Sequence, residues 1–253
     1  MPSEPTSPPP NSPRYPAPPL QTAEDLLGLL VAAWIPSVRA DNWTIKMTVD
    51  NQYDVYFGNS LATSLVVGGD IDWMTTETWN VTGAGANDFL YVSTASDHNI
   101  AQGFLGEFTN TTQNVTIETG SGVWEVFPAG KWLQIIDASW PATWPSSVMP
   151  TQGEVDQAIA FATTNNLWQT PDSLPSYQNS LSPLPWGTQG AISGTASWIW
   201  HDSGNQVSPS PYPAPFDGFN HDEFLIFRVP NVPEPATLAL LALGGLLVVR
   251  RQR

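Results

Sequence analysis

Apolar and polar side chains alternate along most of the chain in short runs that are separated by Gly, Asn and Asp. The first two runs, 44–49 and 53–57, flank the turn-forming Asp50-Asn51-Gln52, and this arrangement predicts a β-hairpin. Similar runs occupy 78–81, 89–93, 104–108, 115–118, 123–127, 196–200 and 223–228. Many short strands at close spacing are typical of sandwiches, so the sequence predicts a mainly β protein with a single, jelly-roll-like β-sandwich.

One helix is predicted among these strands. Thr151 and Glu154 have the spacing of a capping box, and Asn165-Asn166 supplies the stop. Apolar residues follow the box at helical spacing: Val155, Ala158, Ile159 and Ala162. Because the surrounding residues 137–195 are rich in Pro and Trp, we interpret them as an insertion into a sandwich domain that spans 41–229.

A resemblance links several strands to a known kind of domain. Residues 49–59, residues 101–108 and Trp124 are similar to the galactose-binding-like jelly rolls of bacterial glycoside hydrolases and lectins, which implies a ligand-binding sandwich. Trp198-Ile199-Trp200 and Phe227-Arg228 resemble the first strand pair of such domains, although here they come last. A circular permutation would explain this order, and we expect residues 198–200 to pair beside residues 44–49.

The C-terminal segment, 230–253, has a different pattern. Pro233-Glu234-Pro235 breaks any preceding element and predicts an extended linker. Residues 236–249 carry no charge and would form a helix of about 21 Å, a short transmembrane helix. Arg250, Arg251 and Arg253 place the end of the chain in the cytoplasm. The alternative, a short buried helix, leaves the terminal arginines without a purpose.

These three parts together resemble the PEP-CTERM sorting tail of bacterial surface proteins. The resemblance implies export, recognition by an exosortase-type membrane protease and processing near Pro233-Glu234-Pro235. It also implies transient residence in the inner membrane, then a cell-surface or extracellular location, and an association with exopolysaccharide. The resemblance describes how the protein is transported and sorted, and it does not describe the activity of the remaining chain.

The N-terminal 40 residues predict an export signal. Residues 1–25 are Pro-rich and are typical of a disordered segment, or of a start codon assigned too far upstream. Residues 26–40 contain an apolar stretch followed by Val38-Arg39-Ala40, which predicts signal cleavage after Ala40. Since Glu24 and Asp25 stand where basic residues are expected, an ordinary amphipathic helix is the alternative.

The charge of the predicted domain excludes one class of partner. Residues 41–229 contain nineteen acids and only three basic residues, Lys46, Lys131 and Arg228, a net charge of −16. Such a body repels nucleic acid and attracts divalent cations. The chain has no cysteine, which excludes disulfides and thiolate metal sites.

Candidate ligand-binding residues lie in the predicted loops. Trp73 with Asp70 and Asp72 offers an indole face beside carboxylates, a combination that suits a polysaccharide. Together with Asp50 and Asp97, the two aspartates also form a candidate Ca²⁺ site. The alternatives are a core tryptophan and turn-forming aspartates. His98, His201 and His221 lack metal-ligand spacing.

No nucleophile elbow, Walker A motif, Rossmann glycine fingerprint or H-E-x-x-H occurs in the sequence. We therefore predict a binding or structural protein and not an enzyme. Two alternatives remain, because catalytic carboxylate pairs meet in space and not in sequence: a secreted carbohydrate-active hydrolase, and a coat or adhesive protein with no small ligand.

Overall fold

The computed structural model describes residues 40–86, 88–95, 101–136, 149–202, 211–217 and 224–229. Within these ranges the chain forms two antiparallel sheets, and the predicted mainly β sandwich is confirmed. The strands are β1 (Ala40–Asp50), β2 (Gln52–Gly58), β3 (Thr63–Asp70), β4 (Glu77–Gly85), β5 (Phe89–Ala95), β6 (Gly103–Asn110), β7 (Val115–Glu118), β8 (Glu125–Pro128), β9 (Asp172–Gln178), β10 (Ser197–Trp200) and β11 (Leu225–Val229).

Each sheet has a simple strand order. The first sheet runs β4-β1-β6-β10-β9, with β7 also paired to β6, and the second runs β3-β2-β5-β11-β8. Aromatic rings join the two sheets in the core, where Phe104 of β6 lies 5.2 Å from Phe227 of β11 and 5.2 Å from Trp124, between ring centroids. These buried rings supply much of the apolar area that holds the sandwich together.

The predicted hairpin of residues 44–57 is wrong. β1 pairs with β4 and β6 in the first sheet, whereas β2 pairs with β3 and β5 in the second, so the chain crosses between sheets at Asp50-Asn51. Both strands present alternate apolar side chains to one core. Because that alternation fits a hairpin and a crossing equally well, the pattern alone does not distinguish them.

The expected neighbour of residues 198–200 also differs. β10 lies in the same sheet as β1, but β6 separates them, since β6 pairs with β1 throughout and with β10 at Ile199. Phe227 and Arg228 belong to β11 in the other sheet, so they do not pair with β10. Of the residues that resemble a strand pair, Trp200 and Phe227 meet across the core, with ring centroids 5.8 Å apart.

Two helices cover the outer face of the second sheet. Helix α1 (Ala129–Ile136) continues directly from β8 and was not predicted. Helix α2 (Gln152–Thr164) is the predicted one, with the Thr151 and Glu154 capping box and Asn165 at its C-cap. Leu133 and Ile159 pack with Tyr56 and Tyr91 in a second core cluster, so the central strands β2, β5 and β11 of this sheet are buried on both faces.

The predicted insertion contributes to the sandwich itself. After α2, strand β9 joins the edge of the first sheet beside β10, while residues 137–148 lie outside the described ranges. The N-terminal segments and the tail, including the predicted helix at 236–249, also lie outside them. None of the helices in the part that the structure describes has the length and hydropathy needed to cross a bilayer.

Candidate functional site

Several predicted site residues meet at one end of the sandwich, which we call the Asp50 end. β1 stops there at Asp50, and Asp70 at the close of β3 lies opposite Tyr53 at the opening of β2. The connection from β3 to β4 carries Asp72 and Trp73 at the same end, because Thr48 Oγ1 of β1 donates a hydrogen bond of 2.9 Å to the Trp73 carbonyl.

Trp73 is half-buried and packs against the main core. The expectation of an exposed indole is therefore not met, and the core interpretation describes this ring better. Its neighbours are the exposed groups instead: Ile71 is 72% and Met74 is 68% solvent-accessible. Sequence reasoning did not select Ile71, which lies between Asp70 and Asp72, or Met74, which follows Trp73.

The carboxylates of Asp70 and Asp72 shape this loop. Asp70 Oδ2 accepts from the amide of Asp72 at 3.3 Å, and Asp72 Oδ1 accepts from the amide of Met74 at 3.0 Å. These are the local hydrogen bonds by which aspartate forms turns. Each carboxylate still presents a second oxygen, and both side chains are only partly buried.

Asp50 has a different role. It is buried, and its Oδ2 accepts a 2.7 Å hydrogen bond from the indole Nε1 of Trp186. The loop after β3 reaches the same segment, since Thr76 Oγ1 donates to Gln189 Oε1 at 3.2 Å and Gln189 Nε2 donates to the Trp186 carbonyl at 3.3 Å. The Asp50 end is thus a connected network.

The candidate Ca²⁺ site gains no support from this geometry. In the described ranges no three His, Asp or Glu side chains are arranged to hold a metal ion. Asp97, the fourth candidate ligand, lies outside those ranges. A Ca²⁺ site at Asp50, Asp70 and Asp72 therefore stays a prediction from the sequence.

A second polar group at this end was missed. His201 follows β10, is buried, and its Nδ1 lies 3.6 Å from Asp172 Oδ2. Burial lowers the pKa of His201, and the nearby carboxylates of Asp172 and Asp202 partly oppose that change. Burial also raises the pKa of Asp217. No motif spacing marks these residues, because the fold brings them together from β9, β10 and a later loop. His98 and His221 are outside the described ranges.

Arg228 forms a structural cluster on the opposite face of the second sheet. Its Nε donates a 2.6 Å hydrogen bond to Glu125, and its guanidinium lies 3.9 Å from the centroid of the Trp168 ring. Arg228 also donates to Thr163 of α2 at 3.1 Å. The buried guanidinium is paired with Glu125 and stacked on Trp168, so it stabilises the packing of α2 on the sheet and is not available to a ligand.

Comparison with known families gives a result for the end of the chain. Residues 231–253 match the model of the PEP-CTERM protein-sorting motif. The chain matches no curated protein and no solved structure. The galactose-binding-like resemblance of the body therefore stays a prediction.

The family match covers the sorting residues that the sequence predicts: Pro233, Glu234, Pro235, Arg250, Arg251 and Arg253. All six lie outside the described ranges, as do residues 1–39. Such motifs are processed by an exosortase, which is a membrane protein. The chain is therefore an exported protein that passes through the membrane for sorting and then reaches the surface.

Proposed function

We propose that this protein is an exosortase-processed cell-surface or extracellular-matrix protein whose sandwich is a non-enzymatic binding module for exopolysaccharide. The observation that carries the proposal is the junction between body and tail. Strand β11 ends at the buried Val229, and the matched sorting motif begins two residues later, at 231. Sorting therefore acts on a segment that directly follows the folded domain.

The position of β11 makes this junction compatible with processing. β11 lies between β5 and β8 in the second sheet, and all five of its residues are buried. Cleavage near Pro233-Glu234-Pro235 would leave each of these core residues in the mature protein. The sandwich would thus keep its stability after the tail is removed or relinked.

The ligand site that we propose is the loop at the Asp50 end. Sugars present apolar C–H faces and hydroxyl edges, so they suit a surface with apolar side chains beside carboxylate acceptors. The exposed Ile71 and Met74 supply apolar area, the partly exposed Trp73 extends it, and Asp70 and Asp72 supply acceptors. This combination of apolar area and acceptors supports the predicted polysaccharide ligand.

The charge of the body narrows the choice of polymer. With a net charge of −16 over residues 41–229, the domain repels anionic polymers unless a divalent cation lies between them. The ligand class is therefore a neutral polysaccharide, or an anionic one bridged by Ca²⁺.

A glycan array tests the binding proposal, with the exported chain applied with and without Ca²⁺. We expect Ile71→Ala and Met74→Ala to weaken binding at least about tenfold, the effect of about 1.4 kcal/mol. Leu61→Ala is the matched control, because Leu61 is 51% exposed but lies in the connection from β2 to β3, at the end of β2 that is far from Asp50.

The outcomes separate the alternatives. Absence of binding under both conditions would favour a coat or adhesive protein. Depolymerisation of a bound polysaccharide that is abolished by Asp72→Asn would contradict the non-enzymatic part of the proposal and favour a hydrolase.

A further inference from the structure

The carboxylate of Asp41 is buried near the beginning of β1 and is only half satisfied. Its Oδ2 accepts two hydrogen bonds of 2.7 Å, from Asn110 Nδ2 and Gln113 Nε2. Its Oδ1 is also buried and accepts none. The residue is 0% exposed, so water does not complete the shell of this oxygen. A buried acceptor without a partner destabilises a fold, and a buried charge does so more strongly.

No cation in the described ranges compensates this carboxylate. Lys46 is paired with Glu107, and Arg228 is paired with Glu125. Lys131 is exposed on α1, which packs on the second sheet, whereas Asp41 is in the first.

A second carboxylate at this corner has the same sign as Asp41. Asp88 Oδ2 accepts from the amide of Gly85, which lies opposite Ala40 in the β1–β4 ladder. The corner therefore holds two acids, Asp41 and Asp88, and both of them would gain from a nearby positive group.

We propose that signal cleavage after Ala40 supplies the missing cation, because the new α-ammonium of Asp41 becomes the counter-ion of the buried Asp41 carboxylate. In the uncleaved chain this nitrogen is an uncharged amide. Cleavage converts it to an ammonium within the same residue as the carboxylate, so no chain movement is needed. Maturation would then stabilise the sandwich as well as release it from its leader. The inference rests on the export of the proposed function and on the cleavage after Ala40 that the sequence predicts.

The position of the cut matters to this pairing. Each additional residue moves the terminal ammonium about 3.8 Å along the chain, and Ala40 is exposed, so a terminus at Ala40 or upstream lies in water. An ion pair in solvent contributes little, whereas one that completes a buried carboxylate contributes substantially. The Ala40-Asp41 bond is therefore the site where processing yields the most stable domain.

Thermal unfolding of four purified chains tests the inference. Two chains begin at residue 41 and two begin at Ala40, and all four end at Arg253. In each pair, one chain keeps Asp41 and the other carries Asp41→Asn. All four are compared in the same detergent. Asparagine still accepts from Asn110 and Gln113 but carries no charge. We expect the chain that begins at Asp41 to melt about 3 to 6 °C above the chain that begins at Ala40. In the Asp41→Asn pair the difference falls below about 1 °C.

Enzymatic acetylation of the terminus is an independent arm that needs no substitution. It removes the charge of the ammonium, so we expect the acetylated chain that begins at Asp41 to melt where the chain that begins at Ala40 does. Equal melting temperatures of the two unmodified chains would overturn the inference, and so would a difference that survives acetylation. Should Asp41→Asn fail to fold, this arm decides alone.

N-terminal sequencing of the native protein keeps the two proposals apart. A native terminus other than Asp41, with the melting difference intact in the purified chains, would overturn the processing site while the electrostatic pairing held. A native terminus at Asp41 without a melting difference would overturn the pairing and leave the processing site standing.

Discussion

The indole Nε1 of Trp186 donates a 2.7 Å hydrogen bond to Asp50 Oδ2, and the two residues are 136 positions apart. Asp50 is the last residue of β1, where the chain leaves the first sheet for the second. Trp186 belongs to the segment between β9 and β10 and stacks on Trp198 with ring centroids 4.1 Å apart. The hydrogen bond therefore connects the point where the chain crosses between the sheets to the segment between β9 and β10. The sequence pattern predicts that segment to be part of an insertion.

Trp186→Phe should lower the free energy of unfolding by about 1 to 3 kcal/mol, because it keeps an aromatic ring but removes a donor from a buried carboxylate. Urea unfolding followed by circular dichroism measures the change. Trp132→Phe is the matched control, since Trp132 is half-buried on α1, and it should change the value by less than about 0.5 kcal/mol. Equal effects of the two substitutions would contradict a specific role for the Trp186 bond.

Trp198→Ala should cost about 3 to 5 kcal/mol, the usual effect of truncating a large buried aromatic residue. The ring is fully buried, and Gly103 of β6 lets it approach, because a Cβ at Gly103 would lie 2.9 Å from Trp198 and 2.8 Å from Trp186. Gly103→Ala should therefore destabilise the same stack. Unfolding midpoints in urea measure both, and a change below about 1 kcal/mol in Trp198→Ala would refute its place in the core.

The strand pattern predicted the class of this fold because period-2 alternation reports which residues are buried. It did not predict which strands pair. Residues 44–57 read as a hairpin, yet Asp50-Asn51 carries the chain across the core, since alternation is the same on either side of a sandwich. Helix α1 escaped prediction because Ala129–Ile136 is short and follows β8 without a capping signal. The capping box at Thr151 identified α2, because that signal is local.

The candidate site was only partly predictable for the same reason. Asp70 and Asp72 could be predicted as loop residues, because aspartate forms turns through local hydrogen bonds that depend only on a short stretch of sequence. The partial burial of Trp73 depends on packing against the main core, and the cluster of Asp172 with His201 depends on β9 joining β10. Contacts between distant strands leave no spacing signal in one sequence. The sorting tail is the opposite case, because its Pro-Glu-Pro, apolar run and arginines are contiguous.

His201 gives the body a testable pH dependence. Burial lowers its pKa from the ordinary value of 6.5, so the unfolded chain binds a proton more readily than the folded one. Stability is therefore complete above about pH 6.5 and declines as the pH falls toward the folded pKa, by at most about 1.4 kcal/mol per pH unit.

His201→Gln should flatten the decline in stability below pH 6.5, as measured by urea unfolding between pH 5 and 7. The raised pKa values of Asp54 and Asp217 act in the opposite direction, because the folded chain takes up their protons first as the pH falls. They are unchanged in the variant, so they cancel in the comparison. The same slope in both proteins would contradict a buried neutral imidazole.

Replacing both Pro233 and Pro235 by alanine should block sorting. Without the two prolines, helix can extend upstream from residue 236 and hide the extended segment that a protease grips. We expect full-length protein to accumulate in the membrane fraction of the source cells. Pro230→Ala is the control, since Pro230 precedes the matched motif, and it should be processed normally. Unchanged size and location of the double variant would contradict recognition through Pro-Glu-Pro.

The intact mass of the mature protein, taken from cell-surface and medium fractions, tests the central claim most directly. An exported, exosortase-sorted chain should begin at Asp41 and end near Pro233-Glu234-Pro235, with or without an attached group at the new C-terminus. A mass that includes residues 236–253, or one that begins at Met1, would contradict the account.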